Sequence, residues 1–104
     1  MIPFFSVVIP LYNKEQYIKN TLQSVLNQVF QDFEIIIVND GSTDRSIDIV
    51  YALNDKRIQV FTQENKGVAL ARNFGIKKSK SKFIALIDAD DTGESIICQK
   101  LKKV

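Results

Sequence analysis

The strongest constraint on the fold is the alternation of short apolar runs with segments of helical periodicity. Val7-Val8-Ile9 and "FEIIIV" at 33–38 are continuous and rich in β-branched residues, which is typical of strands covered on both faces. Residues 57–62 alternate as an edge strand does, and a fourth apolar run covers 83–87. Helical spacing predicts helices at about 14–28, near 47–53, at 67–78 and at about 95–103.

The resulting order is βαβαβαβα in a chain of 104 residues, the length of a single domain. Strands that alternate with helices predict an α/β fold, a Rossmann-like parallel sheet of about four strands with right-handed crossovers. Ligands bind beyond the carboxyl ends of the strands in such sheets. Polar residues follow the first, second and fourth strands at that edge: Tyr12, Asn13, Asn39, Asp40, Asp88 and Asp90.

Composition removes several classes of function. The chain has no histidine, which excludes Ser-His-Asp and Cys-His catalysis and any His-ligated zinc site. The lone Cys98 cannot form an intrachain disulfide, and the lack of disulfides fits a reducing cytoplasm. A net charge of +2 gives no strong attraction to nucleic acid. We expect a cytoplasmic protein, either free or at the inner face of the membrane.

The apolar start, "MIPFFSVVIPLYN", is predicted to be a buried strand. A secretory signal would have a basic start, a longer apolar stretch and a small-residue cleavage site. The run is also too short to span a bilayer.

Three carboxylates end the fourth apolar run in "LIDADD" at 86–91. Asp88 and Asp90 leave the same side of the backbone if the strand continues to that point. Neighbouring like charges raise each other's pKa or require a cation. Carboxylate and phosphate oxygens together favour Mg²⁺ or Mn²⁺. The alternative is a polar strand-to-helix turn, in which aspartate is common.

Two other acidic motifs match part of this stretch. A calcium-binding loop that began at Asp88 would need glutamate at its twelfth position, where the chain has Gln99. Asp88, Asp90 and Thr92 also match the Asp-x-Asp-x-Thr of haloacid-dehalogenase-like phosphatases, with Asp88 as nucleophile and Asp90 as acid and base. Only twelve residues follow Thr92, which leaves no room for the later motifs of that fold, so the phosphatase is the weaker alternative.

Four segments occur in a characteristic order: "SVVIPLYNKEQYIKNTLQSVLNQ", "EIIIVNDGSTDRS", "ENKGVALARNFGI" and "FIALIDADD". Together they resemble the nucleotide-sugar-binding half of the family 2 glycosyltransferases, which have the GT-A fold, and the resemblance covers essentially the whole chain. It implies an inverting enzyme that transfers a sugar from a nucleotide donor, a UDP-sugar in most cases, to a saccharide or lipid-linked acceptor. Many relatives build surface polysaccharides.

The resemblance also assigns the nucleotide pocket. Pro10, Tyr12 and Asn13 would line it, and Asp40 would accept a hydrogen bond from the imide N–H of the base. Turn formation and helix capping explain the same residues without a ligand, with Asn13 and Gln16 capping the first helix. Ser42 or Thr43 would cap the second helix in the same way.

The remaining assignments concern the diphosphate and the sugar. By resemblance, Arg72 borders the base and diphosphate side of the pocket, Asp88 contacts sugar or ribose hydroxyls, and Asp90 holds the Mn²⁺ or Mg²⁺ ion. On chemistry alone, Arg72 could pair with Asp40 or with a phosphate, or form a surface salt bridge of little energetic value.

In the family, the catalytic base and the acceptor site follow the Asp-x-Asp in a later segment. We therefore expect a single, truncated donor-binding domain at 1–104 that transfers no sugar alone, and a non-catalytic nucleotide-binding module is the main alternative. A dinucleotide-dependent oxidoreductase would need glycines after the first strand, where "PLYNKE" has none. An uncovered edge at strand 83–87 would favour a homo-oligomer.

Overall fold

A computed structural model describes residues 3–28, 31–90 and 101–103. In these residues the chain forms strands β1 (Phe5–Leu11), β2 (Phe33–Asp40), β3 (Ile58–Gln63), β4 (Phe83–Leu86) and β5 (Leu101–Lys103), and helices α1 (Ile18–Leu26), α2 (Ser46–Leu53) and α3 (Val68–Lys78). The predicted alternation of strands and helices is confirmed as far as β4. The longest described helix, α3, has 11 residues, and no described helix combines the length and apolar character of a membrane span.

One sheet contains all five strands in the order β3-β2-β1-β4-β5. Strands β1 to β4 are mutually parallel, which confirms the predicted α/β class and the four-stranded parallel sheet. The chain builds outward from β1 to β3, which is an edge strand as expected, and then returns through α3 to place β4 on the other side of β1. The strand order therefore reverses at β1, and in parallel sheets ligands bind at such a reversal.

The prediction of a final helix at about 95–103 is wrong at its end, because Leu101–Lys103 is a strand antiparallel to β4. Its first part, together with Asp91, lies outside the described residues. The unpaired N–H and C=O groups along β4 explain the strand, since backbone pairing at an open edge outweighs a weak local helix preference. Phe83, Ile84 and Ala85 are paired with β5. This part of β4 is therefore not the uncovered edge on which the prediction of a homo-oligomer depends.

The strands bury side chains on both faces, as their continuous apolar sequences predicted. Odd-numbered residues of β1 and β2, such as Val7 and Ile35, pack with α1 and α2. Even-numbered residues, such as Val8 and Ile36, pack with α3. Successive side chains of a strand point to opposite faces of the sheet, which produces this division. The same alternation decides on which face each residue near the carboxyl ends of the strands lies.

Helix α3 lies unusually close to the sheet at Gly75. A Cβ atom at this position would overlap Cγ1 of Val8 on β1 and would lie 3.3 Å from Cγ2 of Val38 on β2. The missing side chain therefore sets the depth at which α3, the helix that carries Arg72, packs on the sheet.

The predicted helix caps are not those observed. Helix α1 starts at Ile18 with Tyr17 as its N-cap residue, and the N-cap residue makes no side-chain capping bond. Asn13 lies four residues earlier, in the left-handed region with φ of 50°, so it cannot cap α1. The N-cap residue of α2 is Arg45 rather than Ser42 or Thr43. The residues Asn13, Ser42 and Thr43 instead join two loops, as described below.

Candidate functional site

A cavity of about 270 Å³ lies at the carboxyl edge of the sheet, between the loops that follow β1, β2 and β3. Its position is the one predicted for a ligand of a parallel α/β sheet. Its lining consists of Pro10, Leu11, Tyr12, Lys14, Asp40, Asn65, Gly67 and Val68.

Asp40 ends β2 and is the acidic group of this cavity. The residue is 4% exposed. Its Oδ1 accepts hydrogen bonds from Nε2 of Gln63 and from the main-chain N–H of Lys66, each at 2.8 Å, and its Oδ2 accepts from the N–H of Gly67 at 3.0 Å. Burial raises the pKa of Asp40, but these three hydrogen bonds outweigh it and place the pKa below its ordinary value. Asp40 is therefore an ionised acceptor at neutral pH.

Tyr12 and Val68 both line the cavity. Tyr12 follows β1 and is 44% exposed, while Val68 opens α3 and is 50% exposed. Apolar surfaces that remain this exposed beside a buried carboxylate are suited to contact with a planar ligand. The cavity therefore combines one directional acceptor with apolar walls.

Gly41 brings the loop after β2 against the loop after β3. Its φ is +73°, and a Cβ atom there would lie 3.0 Å from the main-chain N and 3.2 Å from the Cβ of Asn65. Any other residue would be strained in conformation and crowded by backbone. The glycine thus permits the close contact between these two loops.

Asn13 lies between two cavity residues, but its side chain turns to the neighbouring loop. Its Oδ1 accepts hydrogen bonds from the N–H groups of Thr43 and Asp44, at 2.8 and 3.2 Å. Its Nδ2 donates to Oγ1 of Thr43 at 3.3 Å. Asn13, which the family resemblance places in the nucleotide pocket, therefore lies at the edge of the site, and its side chain faces a loop rather than the cavity.

The acidic turn after β4 holds its two carboxylates against different partners. Asp88 Oδ1 accepts a hydrogen bond of 2.7 Å from Nη2 of Arg72 on α3. Asp90 Oδ2 lies 3.7 Å from Nζ of Lys14. Between them, Ala89 is buried and its carbonyl accepts a hydrogen bond of 2.7 Å from Oγ1 of Thr21. Arg72 thus pairs with Asp88 and not with Asp40, the partner that sequence chemistry had suggested.

A divalent cation fits this turn through a single carboxylate. No cluster of three acidic, histidine or cysteine side chains occurs among the described residues. Mg²⁺ and similar ions are commonly held by one or two carboxylates, with substrate phosphates and water completing the shell. Asp90 is the more accessible carboxylate, because its side chain is 47% exposed and its contact with Lys14 is 3.7 Å, against the 2.7 Å bond between Arg72 and Asp88.

Several side chains at the site were not predicted from the sequence, and two of them, Gln63 and Lys14, contact its carboxylates. Gln63 ends β3 and donates to Asp40, and Lys14 lines the cavity and faces Asp90. Like the predicted site residues, both lie at or just after the carboxyl end of a strand. A lysine at a predicted helix start and a glutamine at the end of a short, alternating strand carry no sequence signal that separates them from ordinary surface residues.

Known proteins match this chain over most of its length. The model for "Glycosyl transferase family 2" matches residues 6–95. The Bacillus subtilis uncharacterized glycosyltransferase EpsJ is 45% identical over 103 residues, and the match covers 97% of this chain but 30% of EpsJ. The chain therefore spans less than a third of this relative.

Solved structures agree with the sequence match. Staphylococcus aureus TarS 1–349 in complex with UDP-GlcNAc superposes with a TM-score of 0.82 at 34% identity, covering 88% of this chain and 28% of that one. The mannosyltransferase PcManGT from Pyrobaculum calidifontis, in complex with GDP-Man and Mn²⁺, gives a TM-score of 0.79 at 23% identity, covering 88% of this chain and 29% of that one. The parallel sheet, the site at its carboxyl edge and the family match lead to one conclusion: the chain belongs to glycosyl transferase family 2.

Proposed function

We propose that this chain forms the donor-binding part of an inverting glycosyltransferase that uses a nucleotide-diphospho-sugar, with UDP as the nucleotide. The observation that carries the proposal is the buried, ionised carboxylate of Asp40 at the floor of a cavity beside Tyr12. Transfer to a saccharide or lipid-linked acceptor, in a pathway that builds polysaccharide, is proposed for the full-length protein of which this chain would be the donor-binding part.

The chemistry of Asp40 favours two of the four common bases. A carboxylate accepts hydrogen bonds and donates none when ionised. Uracil presents an imide N–H, and guanine presents N–H groups on the corresponding edge, whereas adenine and cytosine place a ring-nitrogen acceptor there. Of uracil and guanine, the complex of TarS with UDP-GlcNAc, at 34% identity, supports uracil. Tyr12 and Val68 would pack on the base, and Pro10 would close the wall behind it.

Asp90 is the residue we assign to Mn²⁺ or Mg²⁺ binding, with the diphosphate as the second source of ligands. When bound, the ion would neutralise the charge that accumulates on the departing nucleoside diphosphate. Asp88, oriented by Arg72, would accept hydrogen bonds from sugar or ribose hydroxyls. The PcManGT complex contains Mn²⁺, but at its low identity it supports the fold and no individual ligand.

Isothermal titration with UDP, with and without Mn²⁺, tests both assignments. We expect metal-dependent binding to the wild-type chain, loss of the metal dependence in Asp90→Ala, and loss of binding in Asp40→Ala. Asp48→Ala is the matched control, because Asp48 is an exposed carboxylate in the first turn of α2. CDP and ADP should bind at least tenfold more weakly than UDP, since each places an acceptor against Asp40. Equal affinity for UDP and CDP would contradict the role of Asp40.

A non-catalytic nucleotide-binding module remains the second candidate, because the described residues include no base assigned to an acceptor hydroxyl. Donor hydrolysis and transfer assays on this chain separate binding from turnover, and we expect binding alone. We place the protein in the cytoplasm, where nucleotide-sugars would reach the site, and fractionation of cells that express the tagged chain tests that location.

A further inference from the structure

The loop after β1 and the loop after β2 are joined by an unusually dense set of hydrogen bonds. The main-chain N–H of Asn13 donates to Oγ of Ser42 at 3.1 Å. The side chain of Asn13 accepts from the N–H groups of Thr43 and Asp44 and donates to Oγ1 of Thr43. One residue therefore uses its backbone and both side-chain polar atoms on a loop that is about 30 positions away in the sequence.

A second set of bonds continues the same junction. The N–H of Lys14 donates to Oγ of Ser46 at 2.9 Å, and the N–H of Glu15 donates to Oδ2 of Asp44 at 3.1 Å. The other oxygen of Asp44 accepts from the N–H and the hydroxyl of Ser46, at 2.9 and 2.5 Å. Asp44 thus ties the start of α2 to the loop after β1. We call the residues from Asn13 to Glu15 and from Ser42 to Ser46 the loop clamp.

The loop clamp lies just outside the cavity. Tyr12 and Lys14, on either side of Asn13, both line the cavity, while neither Asn13 nor Asp44 is among the described residues that line it. Asp40 lies on the chain segment that leads into the second loop. The clamp therefore connects the two loops that carry the exposed ring of Tyr12 and the buried carboxylate of Asp40.

The backbone of Asn13 explains why this position suits an asparagine. Its φ of 50° lies in the left-handed region, which asparagine and glycine enter more readily than other residues. In that conformation the strand tip turns sharply, so that Tyr12 faces the cavity while the next side chain reaches the second loop. Only asparagine or aspartate combines this backbone preference with a short side-chain acceptor.

We propose that Asn13 is a positioning residue: it contacts the second loop and not the nucleotide, and through the loop clamp it fixes Tyr12 relative to Asp40. The inference rests on the proposed function, since it concerns the geometry of the same nucleotide site. A rigid separation between an aromatic wall and a directional acceptor lowers the cost of ordering the site when a base enters.

Asn13→Gly and Asp44→Ala break the clamp from opposite ends, and the double variant tests whether they act together. Glycine keeps the left-handed backbone and removes only the side chain. We expect each single variant to weaken UDP binding about tenfold, in line with the loss of one or two hydrogen bonds. The double variant should lose little more, because both changes break one unit. Additive losses would mean that Asn13 contacts the nucleotide itself and would overturn the proposal.

Rescue and ligand-free controls accompany the binding series. Asn13→Asp keeps the acceptor for the two N–H groups and should recover most of the UDP affinity. Asp48→Ala changes an exposed carboxylate outside the loop clamp and should bind as wild type. Hydrogen exchange without nucleotide should show faster exchange of the Thr43 and Asp44 amides in Asn13→Gly. Faster exchange with unchanged UDP affinity would overturn the positioning role alone, whereas a wild-type chain that binds no UDP overturns the proposed function and this inference with it.

Discussion

Thr21 on α1 and Ala89 in the acidic turn are joined by a 2.7 Å hydrogen bond from the Thr21 hydroxyl to the Ala89 carbonyl. Both residues are almost fully buried, at 1% and 3% exposure. Asp88 and Asp90 flank this anchored point, so the position of both carboxylates depends on a helix on the opposite side of the sheet from α3.

Thr21→Val should therefore lower stability by about 1–3 kcal/mol, because valine has nearly the same shape but leaves the Ala89 carbonyl buried without this donor. The same variant should weaken Mn²⁺-dependent UDP binding more than metal-free binding, since Asp90 is adjacent to the lost anchor. Urea denaturation and calorimetry measure the two effects. Thr21→Ser, which retains the hydroxyl, should keep the metal dependence, and its loss in both variants would contradict the role of this bond.

Arg72→Gln separates stability from ligand recognition. The side chains of Arg72 and Asp88 are 38% and 43% exposed, and exposed ion pairs contribute about 0–1 kcal/mol. We expect a small change in the free energy of unfolding but a clear loss of affinity for a UDP-sugar relative to UDP, because Asp88 is assigned to the hydroxyls. A matched loss for both ligands would place the contact at the ribose, the base or the diphosphate, which the two ligands share.

The pH dependence of UDP binding reports on Asp40. Its pKa is lowered below the ordinary 3.8, so its contribution to stability and to binding is present above that pH and is lost as the pH falls through the lowered value. Gln63→Leu removes one of the hydrogen bonds that lower the pKa, so affinity should begin to fall at a higher pH than in wild type. Gln59→Leu is the control, because Gln59 lies on the same strand but donates to Glu34. Identical pH profiles for all three proteins would contradict the assignment.

Gly75→Ala tests the close approach of α3 to the sheet. Alanine is the better helix former by about 1 kcal/mol, yet here its methyl group would overlap Val8, and overpacking of this kind costs about 1–3 kcal/mol. We expect net destabilisation by thermal unfolding. The double variant Gly75→Ala with Val8→Ala should be more stable than the sum of the two single effects implies, since the second change removes the overlapping atom.

Much of this architecture could be predicted because its causes are local. The apolar runs at β1, β2 and β4 identify buried strands on their own, and the rule that ligands bind at the carboxyl ends of parallel strands located Tyr12, Asp40 and the acidic turn without any tertiary information. The parallel order followed from the alternation of elements. These features depend on residues that are neighbours in the sequence.

The remaining features depend on partners that are distant in the sequence. From the sequence, Asn13 is predicted to cap a helix. Its actual partners are N–H groups of a loop about 30 residues later in the chain. Glu34 occurs within the apolar run "FEIIIV", and it is buried because Ser6, Gln59 and the Lys80 N–H all donate to it. Strand β5 forms beside an open edge, a condition that its three residues do not reveal by themselves.

The central place of β1 in the sheet also affects how the chain must be made. Strand β1 pairs on one side with β2, which follows it closely in the sequence, and on the other side with β4, where Ser6 meets Ser81 across 75 positions. At about 5–20 residues per second, the ribosome takes roughly 4–15 s to supply that interval. During this time an apolar strand has one unpaired edge, which is a template for pairing between nascent chains. Slow elongation or a late truncation before β4 should therefore favour aggregation, even where the loops around the cavity have already formed.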